Sequence, residues 1–402
     1  MGDQLRPASR HETYQMKIVF LIRTLTFGGA ERQLVALAKG LHERGNLVKV
    51  VVFYPRGPLE TDLEAAGIPV ISLDKRGRFD VLPFVWRTAK TLRRESPDIV
   101  HGYLGASNLL SLLLRPFHRG KSVWGVRASG MDSDHSDWLD QIDTWLESHL
   151  AAFANLIIAN SLSGKMNAIS MGFPASKTIV IPNGIDTDRF TPDPAGRAAI
   201  RAEFGIADNE ILIGRVGRIG PQKDYPTFIH AAAIVAKERP DARFVCVGSG
   251  PEEQIAELKE LASSLPLQER MIWVPARSDM PSLYNAMDLC VSTSAFGEGT
   301  PNVVAEAMAC GVPCVVTDIG DSAIVVGDVN AVVPAGEPTL IAAKVLERMA
   351  MIESGSIDHG ALRARIVNSL SMHALVSRSE SALQALISGQ RGRFRRVRKA
   401  TT

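Results

Sequence analysis

Two glutamates eight positions apart, Glu298 and Glu306, lie in the segment Phe296-Gly-Glu-Gly-Thr-Pro-Asn-Val-Val-Ala-Glu-Ala-Met-Ala-Cys-Gly311. The second falls among Val303, Val304, Ala307 and Met308, where a purely structural helix would carry a hydrophobe. A carboxylate in such apolar company is costly unless hydrogen-bond donors reach it, and paired ligand hydroxyls would supply them. Thr300 as N-cap, Pro301 at the first helical position and Gly311 past the end predict a helix of about ten residues. Its N-terminal amides are then free to face an anion. Hydroxyls for the carboxylates and phosphate for the amides together describe a sugar nucleotide.

A diphosphate also needs cations. Arg218 and Lys223 sit five apart in Gly214-Arg-Val-Gly217-Arg218-Ile-Gly-Pro-Gln-Lys223-Asp224, directly after an apolar run. A Gly-Pro turn between them can aim both at one point, where two charged hydrogen bonds and a helix N-terminus would balance a departing diphosphate without a metal. A pair of solvated surface cations is the alternative. Near the start of the chain, Thr26-Phe-Gly28-Gly29-Ala30-Glu31 places two glycines where a strand enters a helix. Their bare backbone would admit a phosphate or an acceptor, although a tight turn explains Gly-Gly equally well. His101 and Arg127 end two further strand-like runs, and polar side chains at such ends favour a ligand crevice over the core.

Other chemistries drop out. Val247-Gly-Ser-Gly-Pro251 carries Glu253 where a dinucleotide fingerprint needs its third glycine, so no nicotinamide site is expected. No Gly-x-Ser-x-Gly elbow and no phosphate loop ending in Gly-Lys occurs, which removes serine hydrolases and P-loop kinases. Asp132-Ser-Asp134 and Asp186-Thr-Asp188 match the short Asp-x-Asp pattern of metal-dependent sugar transfer, but the pattern is common and neither is given a metal. Cys246, Cys290, Cys310 and Cys314 lie in apolar surroundings without ligand spacing and read as reduced core residues.

The elements that must position these residues alternate as short β-branched runs and helical stretches. Strands are expected at Ile18–Ile22, Val48–Phe53, Ile68–Ile71, Ile99–Val100, Ser122–Val126, Leu156–Ala159 and Thr178–Ile181. After the turn-rich stretch from Pro182 to Pro194 they resume at Ile211–Val216, Arg243–Val247, Met271–Val274, Leu289–Ser292, Pro313–Val316 and Ala331–Val333. Continuous apolar strands of this kind belong to parallel sheets covered on both faces. The expected architecture is α/β, two doubly wound domains facing across a cleft. Residues 1–15 form a polar leader, 16–185 the first domain, 186–372 the second, 373–390 a returning helix and 391–402 a basic tail. At 402 residues and 46% hydrophobic content, two such cores are easily filled.

Six of the 45 Lys and Arg residues fall between Arg391 and Lys399, leaving 39 against 43 acids, a net of −4 for the remainder. That balance argues against a nucleic-acid partner. The tail is either a solvated end or a contact for an anionic membrane surface. No signal peptide precedes Met16 and no apolar run is long enough to span a bilayer, so a cytoplasmic location, with the tail at the inner face of the membrane, is expected.

Gly28-Gly29-Ala30-Glu31, the Arg218 to Lys223 pair, Val247-Gly-Ser-Gly-Pro251, Ile181-Pro-Asn-Gly-Ile-Asp186 and the Glu-x7-Glu segment occur here in an order that resembles the retaining glycosyltransferases of family four. The likeness spans about Lys17 to Pro334 and is greatest to bacterial members of polysaccharide and exopolysaccharide biosynthesis, through Trp124-Gly-Val-Arg-Ala-Ser129 and Ala307-Met-Ala-Cys-Gly-Val-Pro-Cys-Val-Val-Thr-Asp318. The resemblance implies the GT-B fold of two Rossmann-like domains and a nucleotide-sugar donor used without cofactor or metal. The acceptor it implies is a glycan or lipid-linked saccharide. By position it implies that Glu306 accepts ribose hydroxyls and Glu298 the donor-sugar hydroxyls, with Gly299, Thr300, Pro301 and Asn302 beside them. Arg218 and Lys223 would hold the diphosphate next to Gly28 and Gly29, and His101 and Arg127 would face the acceptor. Thr300 and Tyr103 depart from the common pattern. A nucleotide-sugar epimerase of the same fold and a non-catalytic sugar-nucleotide-binding relative are the alternatives.

Overall fold

The computed structural model describes residues 15–77, 79–126 and 138–389. Arg127, the Asp132-Ser-Asp134 motif, residues 1–14 of the polar leader and the basic tail lie outside the described residues. A seven-stranded parallel sheet comprises β1 (Lys17–Ile22), β2 (Leu47–Val52), β3 (Val70–Ser72), β4 (Ile99–Tyr103), β5 (Lys121–Val126), β6 (Leu156–Ala159) and β7 (Thr178–Val180). A six-stranded one comprises β8 (Ile211–Val216), β9 (Ala242–Val247), β10 (Met271–Val274), β11 (Leu289–Ser292), β12 (Cys314–Thr317) and β13 (Val332–Val333). Every strand expected from the sequence is present, with ends shifted by at most three residues.

The orders are β3-β2-β1-β4-β5-β6-β7 and β10-β9-β8-β11-β12-β13. Each therefore reverses once, between β1 and β4 and between β8 and β11, and ligands of doubly wound sheets bind at such reversals. Register is tight there: Phe20 lies opposite His101 and Leu289 opposite Ile213.

Both faces of the second sheet are packed. Leu212, Val245, Cys290 and Met308 belong to one buried cluster, while Ile213, Phe244, Leu289 and Phe228 belong to another. The alternation along β8 follows from the period of two in a strand, and it explains why these runs carry no polar face. In the first sheet, Val19, Leu21, Val51 and Val100 meet Leu92 of the helix Val81–Glu95. The helix Gly29–Glu43 buries Leu34, Leu37, Ala38 and Leu41, the spacing of one helical face. All four cysteines are buried and free.

Strands change sheet after Val180, whereas compact packing groups the described residues up to Trp124 with those from Ser379 onward and makes those between Gly125 and Arg378 a second unit. The helix Met372–Ile387 carries the chain from one unit to the other. Its Glu380 accepts from Asn46 Nδ2 at 2.8 Å and Arg44 Nη1 at 3.1 Å within the first unit. The turn-rich stretch after β7 is ordered by pairing: Ile185 N donates to Leu370 O at 2.7 Å and Met372 N to Ile185 O at 2.9 Å. No helix among the described residues is long and apolar enough to cross a membrane.

Candidate functional site

The loops after β8 and β11, at the reversal of the second sheet, are welded by one fully buried cation, Arg215. Its Nη1 donates to Val216 O at 2.7 Å, its Nε to Thr293 Oγ1 at 3.2 Å and its Nη2 to Lys223 O. The guanidinium carbon also lies 4.9 Å from the Tyr225 ring centre. Three carbonyl or hydroxyl partners and an aromatic face replace the water that a buried guanidinium loses. Thr293 Oγ1 lies 2.8 Å from Asp224 O and 3.1 Å from Lys223 O, so the two loops share one polar knot. Asp224, in the left-handed region at φ 44°, ends the Pro221–Lys223 turn and caps the next helix by accepting from Thr227 N at 3.2 Å.

This knot aims Lys223 at Glu298. The Nζ donates to Glu298 Oε1, which also accepts from Ser294 Oγ at 2.6 Å. Glu298 is only 7% exposed. Burial pushes the Lys223 ammonium below the ordinary lysine range, and the facing carboxylate opposes that shift. The loop around Glu298 is held from several sides: Gln222 Nε2 donates to Gly297 O at 2.9 Å, Ala295 N to Gln222 O at 2.9 Å and Asp321 N to Gly299 O at 3.0 Å. Gly320 is required here, because a Cβ at its position would fall 2.3 Å from Glu298 O and its φ is 63°.

The second glutamate sits on the helix Asn302–Ala309, half-buried, with Tyr284 Oη donating to Glu306 Oε2 at 2.8 Å. Burial and then the glutamate charge push the Tyr284 hydroxyl well above its ordinary value, so it stays a donor. Arg218 is exposed on the β8 loop. Arg218 and Lys223 thus lie on the loop after β8, and Glu298 and Glu306 on the loop and helix after β11, the two strands that flank the reversal.

Several details differ from expectation. The helix begins at Asn302, with Pro301 as N-cap and without a capping side chain. Thr300 does not cap it: the Thr300 hydroxyl donates instead to Asn160 O at 2.5 Å, because the loop packs on the start of the helix Leu162–Ser170. There Asp321 accepts from Leu162 N at 2.6 Å and Ser163 N at 2.9 Å, a carboxylate held at a helix N-terminus. Asn302 Oδ1 accepts from Asn183 Nδ2 at 3.1 Å. Glu298 lies in the loop ahead of the helix.

In the first unit, Gly28 is the N-cap of the helix Gly29–Glu43, and a Cβ there would fall 2.0 Å from Glu31 Oε2. The Glu31 carboxylate therefore lies over Gly28, whereas Gly29 has open space beside it. His101 is fully buried, its ring centre 5.2 Å from that of Phe20 and 5.0 Å from that of Tyr103. None of its surface meets solvent.

Sequence reasoning missed Arg215, Tyr284, Thr293, Ser294 and Asp321. For Arg215 a signal existed: a cation inside the apolar run Ile211–Val216 must find buried partners. Nothing local marks Tyr284, whose partner is 22 residues away.

Residues 27–189 match the family description "Glycosyltransferase Family 4" and residues 210–350 match "Glycosyl transferases group 1". A D-inositol 3-phosphate glycosyltransferase of Actinosynnema mirum is 31% identical over 289 residues, 66% of this chain and 68% of the relative. The UDP-Gal:alpha-D-GlcNAc-diphosphoundecaprenol alpha-1,3-galactosyltransferase of Escherichia coli is 29% identical over 235 residues, 57% of this chain. The chain spans 60% of that relative's length. Among solved structures, Anabaena HepE in complex with UDP-glucose superposes with a TM-score of 0.79 at 26% identity, covering 92% of this chain and all of the other.

Proposed function

Because the chain belongs to glycosyltransferase family 4, we propose that it transfers a sugar from a nucleoside diphosphate donor to a glycan or lipid-linked saccharide. In this proposal the anomeric configuration is retained and no metal ion takes part. The observation that carries the reading is the buried Lys223–Glu298 pair, presented by rigid loops at a strand reversal. Each partner is suited to a different half of one ligand. The ammonium exchanges its carboxylate for a diphosphate oxygen, and the carboxylate accepts hydroxyls of the donor sugar. Exposed Arg218 adds a second positive charge. Glu306, oriented by Tyr284, accepts the ribose hydroxyls.

The bond between the anomeric carbon and the diphosphate oxygen breaks with its electron pair staying on phosphate, where Lys223 and Arg218 stabilise it. The acceptor hydroxyl bonds to the same face of that carbon, and its proton passes to the departing phosphate oxygen. Fixed cations aimed in advance need little reorganisation as charge develops. The Anabaena complex with UDP-glucose supports a uridine donor. The name of the Escherichia coli relative, which specifies a diphosphoundecaprenol-linked acceptor, supports a lipid-linked acceptor and a place in polysaccharide biosynthesis.

Incubation with radiolabelled UDP-glucose and UDP-galactose, with and without chelator, tests the reading. Transfer to lipid-linked saccharide, or slow donor hydrolysis, at a rate the chelator leaves intact is the expected result, with an α-linked product by NMR. An epimerised donor would mean an epimerase, and an unchanged donor a binding protein. Loss of activity with chelator would end the metal-free mechanism.

A further inference from the structure

The first unit carries a cationic depression at the strand ends opposite its Gly28–Gly29 loop. It encloses about 800 Å3 and is lined by Asp98, just ahead of β4, by Lys121, which opens β5, and by Arg93, Arg115, Arg119 and Ile387. Four Lys and Arg side chains thus meet one carboxylate. Asp98 is already engaged, since its Oδ2 accepts the Lys17 amide at 2.8 Å. Among the described residues, no carboxylate pairs with Arg93, Arg119 or Lys121. Crowded cations without counter-charge repel one another, and an anionic surface relieves that repulsion.

The helix Val81–Glu95 continues this surface. Leu82, Trp86, Lys90 and Arg93 follow at spacings of four, four and three, so they form one stripe that runs into the depression. Leu82 is 81% and Trp86 64% exposed, and Lys90 Nζ lies 5.2 Å from the Trp86 ring centre. Phe117, on the rim between Arg115 and Arg119, is 49% exposed. Exposed rings and aliphatic side chains interleaved with cations suit the boundary between lipid headgroups and acyl chains. The chain also passes the rim at Ile387 before a sequence with six cations between Arg391 and Lys399.

We propose that this folded face docks on an anionic phospholipid surface, with Leu82 and Trp86 entering the headgroup layer while the cations of the depression receive lipid phosphates. The contact belongs to the first unit itself and does not require the basic tail. It is also independent of the donor assignment, which concerns the second unit.

The test is co-sedimentation of full-length protein with vesicles of phosphatidylglycerol or of phosphatidylcholine. Wild type is expected to pellet with phosphatidylglycerol only. Reversing two cations, Arg119→Glu with Lys121→Glu, is expected to lower the partition at least about tenfold, given roughly 1 kcal/mol per basic residue at such a surface. Leu82→Ser with Trp86→Ser is expected to do the same, while replacing the six tail cations by Gln preserves more than half of the binding. Circular dichroism and UDP binding report that each variant is folded with an intact donor site; should the apolar pair fail to fold, the charge reversal alone decides. Face variants that pellet like wild type, loss of binding in the tail variant alone, or no pelleting at all would overturn the proposal. So would pyrophosphate that raises the thermal midpoint through Arg119 while vesicles are ignored, which would make the depression a soluble-anion site.

Discussion

Two loops occupy the same place in the two sheets, the one after β1 and the one after β8, and they are built oppositely. The first has a glycine N-cap whose open side is closed by an acid, Glu31. The second has Arg215 buried beneath it and Lys223 projecting from it toward Glu298. Topology makes both crevices available to a ligand. Their charges differ: the acid Glu31 covers the first, whereas the second carries Lys223 and the exposed Arg218 beside Glu298. One fold repeated within a chain therefore offers two crevices of different charge, and the proposed function puts the anionic donor at the second.

The sharpest way to break this contrast is to remove its foundation. Arg215→Met leaves buried carbonyls of Val216 and Lys223 without their donor, at about 1–3 kcal/mol for each. A loss of about 3 kcal/mol in the second unit is expected, read as a lower urea midpoint together with lost UDP binding; an unchanged midpoint would show that the knot is dispensable. Lys223→Ala, set against Glu31→Gln, compares the loops directly. The first is expected to weaken UDP binding by about 1.5–3 kcal/mol, as for a lost charged hydrogen bond, and the second to change it by less than about 0.5 kcal/mol. Equal effects by calorimetry would erase the distinction.

Titration sharpens it further. Burial holds Lys223 below the ordinary lysine value of 10.5, so its charge is lost at lower pH than that of a solvated lysine. Because the folded value is depressed, charging Lys223 disfavours the fold at lower pH, and that cost fades as pH rises through the folded value toward the unfolded one. UDP affinity runs the other way, since phosphate needs the ammonium. It is expected to fall with rising pH in wild type and to stay flat over the same range in Lys223→Arg. The smallest effect is expected from Tyr284→Phe, which removes one hydrogen bond from Glu306. About 1 kcal/mol, or roughly fivefold in donor KM with kcat little changed, would fit a residue that orients the ribose-binding carboxylate.

The sequence by itself determined the architecture. Short β-branched runs alternating with amphipathic stretches encode strand and helix locally, residue by residue, and all thirteen strands lie within a few residues of where the pattern puts them. It also marked Arg218, Lys223 and Glu298, charges in glycine-containing loops that follow apolar runs, and Glu306, a charge inside an apolar helix. Only the tertiary structure decided whom they meet. Lys223 and Glu298 are 75 residues apart and become partners because the strand order sets β8 beside β11. The same long-range packing sends the Thr300 hydroxyl to Asn160 and buries His101 against Phe20. Propensity is a property of neighbours in the chain. Pairing, burial and the resulting shift of a proton equilibrium belong to neighbours in space, which the order of strands creates and no local pattern records.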